Sequence, residues 1–352
     1  MKQLLKGNEA ISEAAVLGGC RAFFGYPITP QNEIPEYLSA RLPEIGGTFV
    51  QAESEVSAIN MVFGAAGAGA NVMTSSSSPG ISLKQEGISY IAGAELPCVI
   101  VNIVRCGPGL GGIQPAQSDY FQSVKGGGHG DYKMLVYGPS SVQEAVDLTY
   151  EAFEKANKYR IPVMILGDGM LGQIMEAVEM PKMKDITKFA KKEWATDGKG
   201  KGKSKKLINS LYIKPDELEA VTNRLFANYE EMSREELLFE NYKIEDAEVI
   251  IVAYGTVARI AKSAVDSLRE EGIKVGLHRP ITLFPFPTQE LHNLASKVTT
   301  KTFLTIELSM GQMVEDVRLS VNGLKPVKFF GRCGGNVMSP EDIVEKIKSE
   351  VM

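Results

Sequence analysis

Cys98-Val99-Ile100-Val101-Asn102-Ile103-Val104 limits this chain more than any other stretch. Six of its seven residues are apolar and nothing alternates with water. Such a run fits a parallel strand covered by helices on both faces. The same rhythm of strand and helix surrounds it. Asn8 can cap a helix that ends at Gly18-Gly19. Residues 21–24 and 48–51 read as short buried strands, and 54–69 as a helix of small residues. An amphipathic helix over 141–158 leads into an apolar strand over 161–166. This order predicts an α/β fold with a doubly wound parallel sheet.

The rhythm breaks over 182–246, which is rich in Lys and Glu and carries the run 199–206, Lys-Gly-Lys-Gly-Lys-Ser-Lys-Lys. That run reads as a solvated loop, and 215–236 as a helix packed outside the domains. A second α/β unit starts near Ala247, with strands over 248–254, 273–277, 303–306 and 327–330 and a last helix begun by Ser339-Pro340. The division expected is therefore a domain over 1–185, a charged linker with a helical piece over 186–246, and a second doubly wound domain over 247–352.

Length and charge exclude several classes of function. The 352 residues suffice for two cores. A net charge of −5 disfavours nucleic acid as the main partner. No leader is visible and no run approaches the roughly 20 apolar residues of a membrane span, so a cytoplasmic protein is expected. The four cysteines, Cys20, Cys98, Cys106 and Cys333, form no C-x-x-C pair, and His129, His278 and His292 are scattered. No metal or cluster spacing is present. Any electron carrier would sit on another chain.

Several motifs each have a plain alternative. Gly107-Pro108-Gly109-Leu110-Gly111-Gly112 fits the dinucleotide fingerprint G-x-G-x-x-G, but Pro108 and Pro115 obstruct the helix that a pyrophosphate needs. A glycine-rich active-site loop fits better, leaving a nucleotide-dependent oxidoreductase as the weaker alternative. Gly167-Asp168-Gly169 could open a diphosphate–magnesium motif, but no Asn pair follows near Trp194, so a tight turn is favoured. The serines in Thr74-Ser75-Ser76-Ser77-Ser78-Pro79-Gly80 suit helix capping and ligand binding equally. Glu53 and Glu55 open the small-residue helix, where one acid can answer the helix dipole. A carboxylate at the mouth of so apolar a helix is costly without a partner. Arg105 follows the apolar strand directly, a poor position for packing and a good one for gripping a carboxylate. Gly25-Tyr26-Pro27-Ile28-Thr29-Pro30 is a stiff turn whose threonine, Thr29, offers a hydroxyl.

In this order the pieces resemble the α-type subunit of the 2-oxoacid:ferredoxin oxidoreductases. The match carries G-Y-P-I-T-P at 25–30, Q-A-E-S-E at 51–55, S-S-S-P-G at 76–80 and Arg105 after its strand. It continues with G-G-G-H-G-D at 126–131, P-S-S-V-Q-E at 139–144, V-A-Y-G-T at 252–256 and R-P-I-T-L-F-P-F-P at 279–287. The H-G-D-Y segment and the 279–287 run look most like the branched-chain, 2-oxoisovalerate, branch. The resemblance implies a thiamine diphosphate pyrimidine-binding domain followed by a transketolase C-terminal-like domain. It implies oxidative decarboxylation of a 2-oxoacid to acyl-coenzyme A and CO2 with reduction of ferredoxin. 2-Oxoglutarate or pyruvate are the alternative substrates, and a non-catalytic scaffold subunit is the alternative of another class.

The resemblance also implies roles for single residues. Glu55, or Glu53 if the spacing shifts by two, would hydrogen-bond N1′ of the aminopyrimidine and favour its imino tautomer. Thr29 would donate to cofactor and 2-oxoacid, and Arg105 would hold the substrate carboxylate. The magnesium and diphosphate would lie on a β subunit and the iron–sulfur clusters on a ferredoxin-like subunit. A γ subunit and a dimer of this chain complete the expected complex.

Overall fold

The computed structural model describes residues 2–189, 191–198 and 204–351. Residues 199–203 of the Gly/Lys run lie outside them. The larger sheet has seven strands in the order Thr282–Phe284, Leu135–Tyr137, Pro162–Asp168, Cys98–Val104, Val72–Ser76, Ala22–Gly25 and Thr48–Gln51. All pair in parallel except Thr282–Phe284, which is antiparallel to Leu135–Tyr137. Cys98–Val104 is buried throughout, as its composition requires. Its one polar residue is hydrogen-bonded on both sides. Asn102 Oδ1 accepts the backbone N–H of Ser78 (3.2 Å), and its Nδ2 donates to Asp119 (2.9 Å).

From Ala22–Gly25 the chain first adds Thr48–Gln51 on one side, then crosses back to add Val72–Ser76 on the other. The crevice at the carboxyl ends of Ala22–Gly25 and Val72–Ser76 is thus a switch point, where open α/β sheets bind ligands.

The second sheet runs Val327–Gly331, Thr302–Glu307, Val249–Val252, Val275–Pro280 and Phe239–Tyr242, the last antiparallel. Phe239–Tyr242 falls in the stretch read from sequence as linker. Helix Pro215–Glu235 buries Val221, Leu225, Tyr229 and Met232 in the core beneath the first sheet. A small two-stranded sheet, Gln3–Lys6 with Met175–Val178, has no sequence signal of its own. Asn8 is not a cap; Lys6 holds that position, and Asn8 Nδ2 donates to Pro30 O and to Glu33 Oε2, both at 2.8 Å.

Two family motifs meet between the domains. Arg279 makes a bidentate pair with Glu144 (2.7 and 2.9 Å), while Thr282–Phe284 extends the first sheet. Gln117 spans to the second domain, donating to Tyr254 O (2.9 Å) and accepting Leu308 N–H (3.0 Å). Tyr120 donates to Asp316 at 2.7 Å. Arg279 is only 8% exposed and pairs with Glu240 as well, so removing it leaves two partly buried acids short of their partner. Ser140 still donates to Glu144. Arg279→Met is therefore expected to cost about 2 kcal/mol in urea denaturation, below the ~3–5 kcal/mol of a fully buried broken pair. The double variant with Glu144→Gln should recover part of that loss.

Candidate active site

The turn after Ala22–Gly25 is held from three sides. Gly25 is required by close approach, since a Cβ would lie 2.6 Å from the Phe23 ring. Gln31 Nε2 donates to Tyr26 O (3.3 Å), and Gln31 Oε1 accepts the Ser75 hydroxyl (2.5 Å). Asn8 and Gln173 both donate to Pro30 O, at 2.8 and 3.1 Å. Thr29, joined to Pro30 by a cis peptide, is half-buried at the crest, its Oγ1 meeting only Asn32 Nδ2 at 3.4 Å.

The two glutamates of Q-A-E-S-E separate. Ser54 caps helix Glu55–Gly67 by accepting Ser57 N–H (3.2 Å). Glu53 is exposed, accepts the Ser54 hydroxyl (3.2 Å), and a hydrogen bond from Ser57 holds its carboxyl below the usual range. Glu55 is 6% exposed and lies against Gly80 of helix Ser78–Gly93. A Cβ on Gly80 would sit 2.6 Å from Glu55 Oε1 and 2.0 Å from Ser76 Oγ. Only glycine admits that contact.

The serine run divides as well. Thr74 donates to Phe24 O (2.7 Å) and Ser75 to Gln31, so both are committed. The hydroxyls of Ser76 and Ser77 are buried without a partner, and Ser77 makes no cap bond. Ser78 Oγ accepts Arg105 N–H (3.1 Å). Buried polar groups are rarely left unmade, so these two hydroxyls are the crevice's own unused hydrogen-bonding groups.

Arg105 is 8% exposed. Its Nη1 donates to Thr29 O (3.0 Å) and its Nη2 to Leu110 O (3.1 Å), and Nε is buried with no partner. The guanidinium thus ties the turn to the glycine-rich loop and keeps one edge unused. Thr29 lines a cleft of ≈ 540 Å³ with Ile113, Met170 and Val337, and Arg105 lines a second of ≈ 530 Å³ with Gly107, Asp119 and Ser309. Glu55 lines neither. It joins the pair through the helix start, where Ser78 bonds Arg105 and Gly80 touches Glu55.

The weaker alternatives lose their support. No helix follows the Gly107 loop directly; Gly109 and Gly111 take positive φ, and Leu110 is 83% exposed. A pyrophosphate would find no helix N-terminus there. Asp168 caps the short helix Gly169–Gln173, its Oδ1 accepting Met170 and Leu171 N–H at 2.9 and 3.0 Å. Burial raises its pKa despite these bonds. It is occupied as a turn residue.

Sequence reasoning missed Lys84, which is fully buried. Its Nζ donates to Thr74 Oγ1 (2.7 Å) and Ser75 O (2.9 Å). One signal could have found it: Lys84 stands three residues after Ile81 and four before Ile88, on the apolar stripe of its helix.

The residues fit thiamine diphosphate in what they leave unused: a buried carboxylate against Gly80, the unpartnered hydroxyls of Ser76 and Ser77, and an Arg105 Nε with no partner. Residues 13–248 match the family model for pyruvate flavodoxin/ferredoxin oxidoreductase, thiamine diphosphate-binding, and residues 247–343 match pyruvate:ferredoxin oxidoreductase core domain II. The chain is 50% identical over 346 residues to ketoisovalerate oxidoreductase subunit VorB of Methanothermobacter marburgensis, covering 98% of this chain and 97% of that one. It is 36% identical over 356 residues to 2-oxoglutarate synthase subunit KorA of Archaeoglobus fulgidus, covering 99% of each. Among solved structures it superposes with TM-score 0.88 and 27% identity on 2-oxoglutarate:ferredoxin oxidoreductase from Magnetococcus marinus, solved with 2-oxoglutarate, coenzyme A and succinyl-CoA bound. All of this chain is covered, and it spans 65% of that one. A split-gene transketolase shares the fold, with TM-score 0.59 at 14% identity.

Proposed function

Because the chain belongs to the 2-oxoacid:ferredoxin oxidoreductase family, we propose that it is the subunit supplying the pyrimidine-side half of a thiamine diphosphate site in an enzyme that oxidatively decarboxylates branched-chain 2-oxoacids. One observation carries this reading. Glu55 is buried at the switch-point crevice against Gly80 and Ser76, and Ser78 of the same helix start bonds Arg105, whose Nε has no partner.

Bound thiamine diphosphate supplies a nucleophilic carbon and an electron sink for decarboxylation. Glu55 would take a ring N–H and hold the charge that gathers there. Thr29, stiffened between Pro27 and Pro30, would present its hydroxyl to cofactor and substrate. Arg105 would orient the substrate carboxylate with its free Nε while its other nitrogens keep the turn and the loop in register. Such fixed positioning is worth several kcal/mol to a reaction of this kind.

The diphosphate and magnesium fall to a β subunit, a reading supported by the commitment of Asp168 to its helix cap. A γ subunit, a ferredoxin-like cluster subunit and a dimer of this chain complete the cytoplasmic complex, with coenzyme A as acyl acceptor. No helix among the described residues is long and apolar enough to cross a membrane. Within this chain, 1–185 and 247–352 act as the two functional domains. The scaffold alternative predicts no loss of turnover when Glu55 is replaced, whereas the catalytic reading predicts one.

The substrate is tested by viologen reduction with the whole complex. 2-Oxoisovalerate is expected to exceed pyruvate in kcat/KM by about 10-fold or more, the discrimination that one or two carbons allow, and to exceed 2-oxoglutarate because an apolar pocket must desolvate its second carboxylate. A preference for 2-oxoglutarate or pyruvate would move the protein to another branch of the same reaction.

A further inference from the structure

A lysine with no exposure needs an explanation, because burial of an ammonium is costly unless it is paired. Lys84 follows Gly80 by four residues on helix Ser78–Gly93, so the two share a face. Helical side chains lean toward the N-terminus, which directs Lys84 back over Gly80. At Gly80 the same face meets Glu55 Oε1 and Ser76 Oγ. The amine is fixed by Thr74 Oγ1 and Ser75 O, without a direct ion pair to Glu55, and Thr74 in turn donates to Phe24 O.

An ammonium has three donors and only two are used by these acceptors. The one charge acting on Lys84 is that of Glu55. The other acids nearby are engaged elsewhere: Glu53 at the surface with Ser54, Glu86 with the Tyr90 hydroxyl, Asp119 with Asn102. We propose that Lys84 is the buried counter-charge of Glu55, a positioning residue that holds the carboxylate in the crevice before the aminopyrimidine arrives.

This rests on the reading of Glu55 as the pyrimidine carboxylate, but it can fail separately. Burial lowers the Lys84 pKa to about 7, with Glu55 opposing the fall. The pair therefore loses its charge attraction within the physiological range. Unfolded lysine titrates near 10.4, so between about 7 and 10 the unfolded chain holds the extra proton and stability rises with pH. Without Glu55 opposing, that window reaches lower.

The test is thermal denaturation of the cofactor-stripped whole complex at pH 6 and pH 9. The set is wild type, Glu55→Gln, Lys84→Met and the double variant. At pH 6, the Tm change on Lys84→Met should be several degrees more adverse in the wild-type background than in Glu55→Gln. At pH 9 the two losses should converge. Where Lys84→Met fails to assemble, the single variant Glu55→Gln suffices: its Tm deficit against wild type should be largest at pH 6 and narrow by pH 9. Equal losses in both backgrounds at both pH values, or a Glu55→Gln deficit independent of pH, would reduce Lys84 to a strut and overturn the proposal. The role of Glu55 in turnover is measured on the loaded complex and can fail alone.

Discussion

Glu55→Gln in the assembled complex is expected to lower kcat for 2-oxoacid decarboxylation and ferredoxin reduction by about 10²–10⁴-fold, the span typical of a lost general acid–base group. The amide matches the carboxylate in shape, so the contact with Gly80 and Ser76 survives. What goes is the negative charge. A neutral amide can still accept a hydrogen bond but cannot stabilise a proton on the ring it faces. The defect should fall on kcat, with a smaller change in KM for the 2-oxoacid, because substrate is gripped elsewhere. Glu53→Gln is the internal control; its exposed carboxylate serves the helix start, and turnover should change little. Normal turnover by Glu55→Gln would leave the chain a scaffold.

Arg105→Met should raise KM for the 2-oxoacid by about 10²-fold or more. Truncating one partner of a buried charge pair costs roughly 2–5 kcal/mol, and each 1.4 kcal/mol is tenfold. Some of the loss will come from the protein itself, because Nη1 and Nη2 also tie Thr29 O to Leu110 O. Arg105→Lys separates the contributions. It keeps the charge but cannot reach two carbonyls and a carboxylate in one plane. A lysine variant that recovers little would assign the effect to the forked geometry. An unchanged KM in Arg105→Met would leave the arginine as a brace between turn and loop.

The sheet was legible because burial on both faces writes itself into composition: Cys98–Val104 and Pro162–Asp168 leave no room for alternation. The site was half legible. Among the candidates, Arg105 directly follows an apolar strand, where a polar residue is conspicuous, while Thr29 sits in a proline-flanked turn and Glu55 opens a small-residue helix. Lys84 went unread because a lone lysine on a helix is taken as solvent face unless its place on the apolar stripe with Ile81 and Ile88 is weighed. Asn8 looked like a cap, and only tertiary packing shows it holding Pro30 from the far side. Gln3–Lys6 pairs with Met175–Val178 from the far end of the same domain, and local pattern carries no trace of such a partner.

Thr282–Phe284 belongs to the second domain by sequence and to the first sheet by pairing. The two halves therefore cannot be exchanged as cassettes at residue 247. A graft of the second half from a distant relative must bring a strand that matches Leu135–Tyr137 in register, together with an arginine for Glu144. Without them, the fully buried strand Leu135–Tyr137 becomes an open sheet edge, and the chimera is liable to aggregate rather than acquire a new substrate. One short strand crossing over thus makes the two domains a single unit for any such graft.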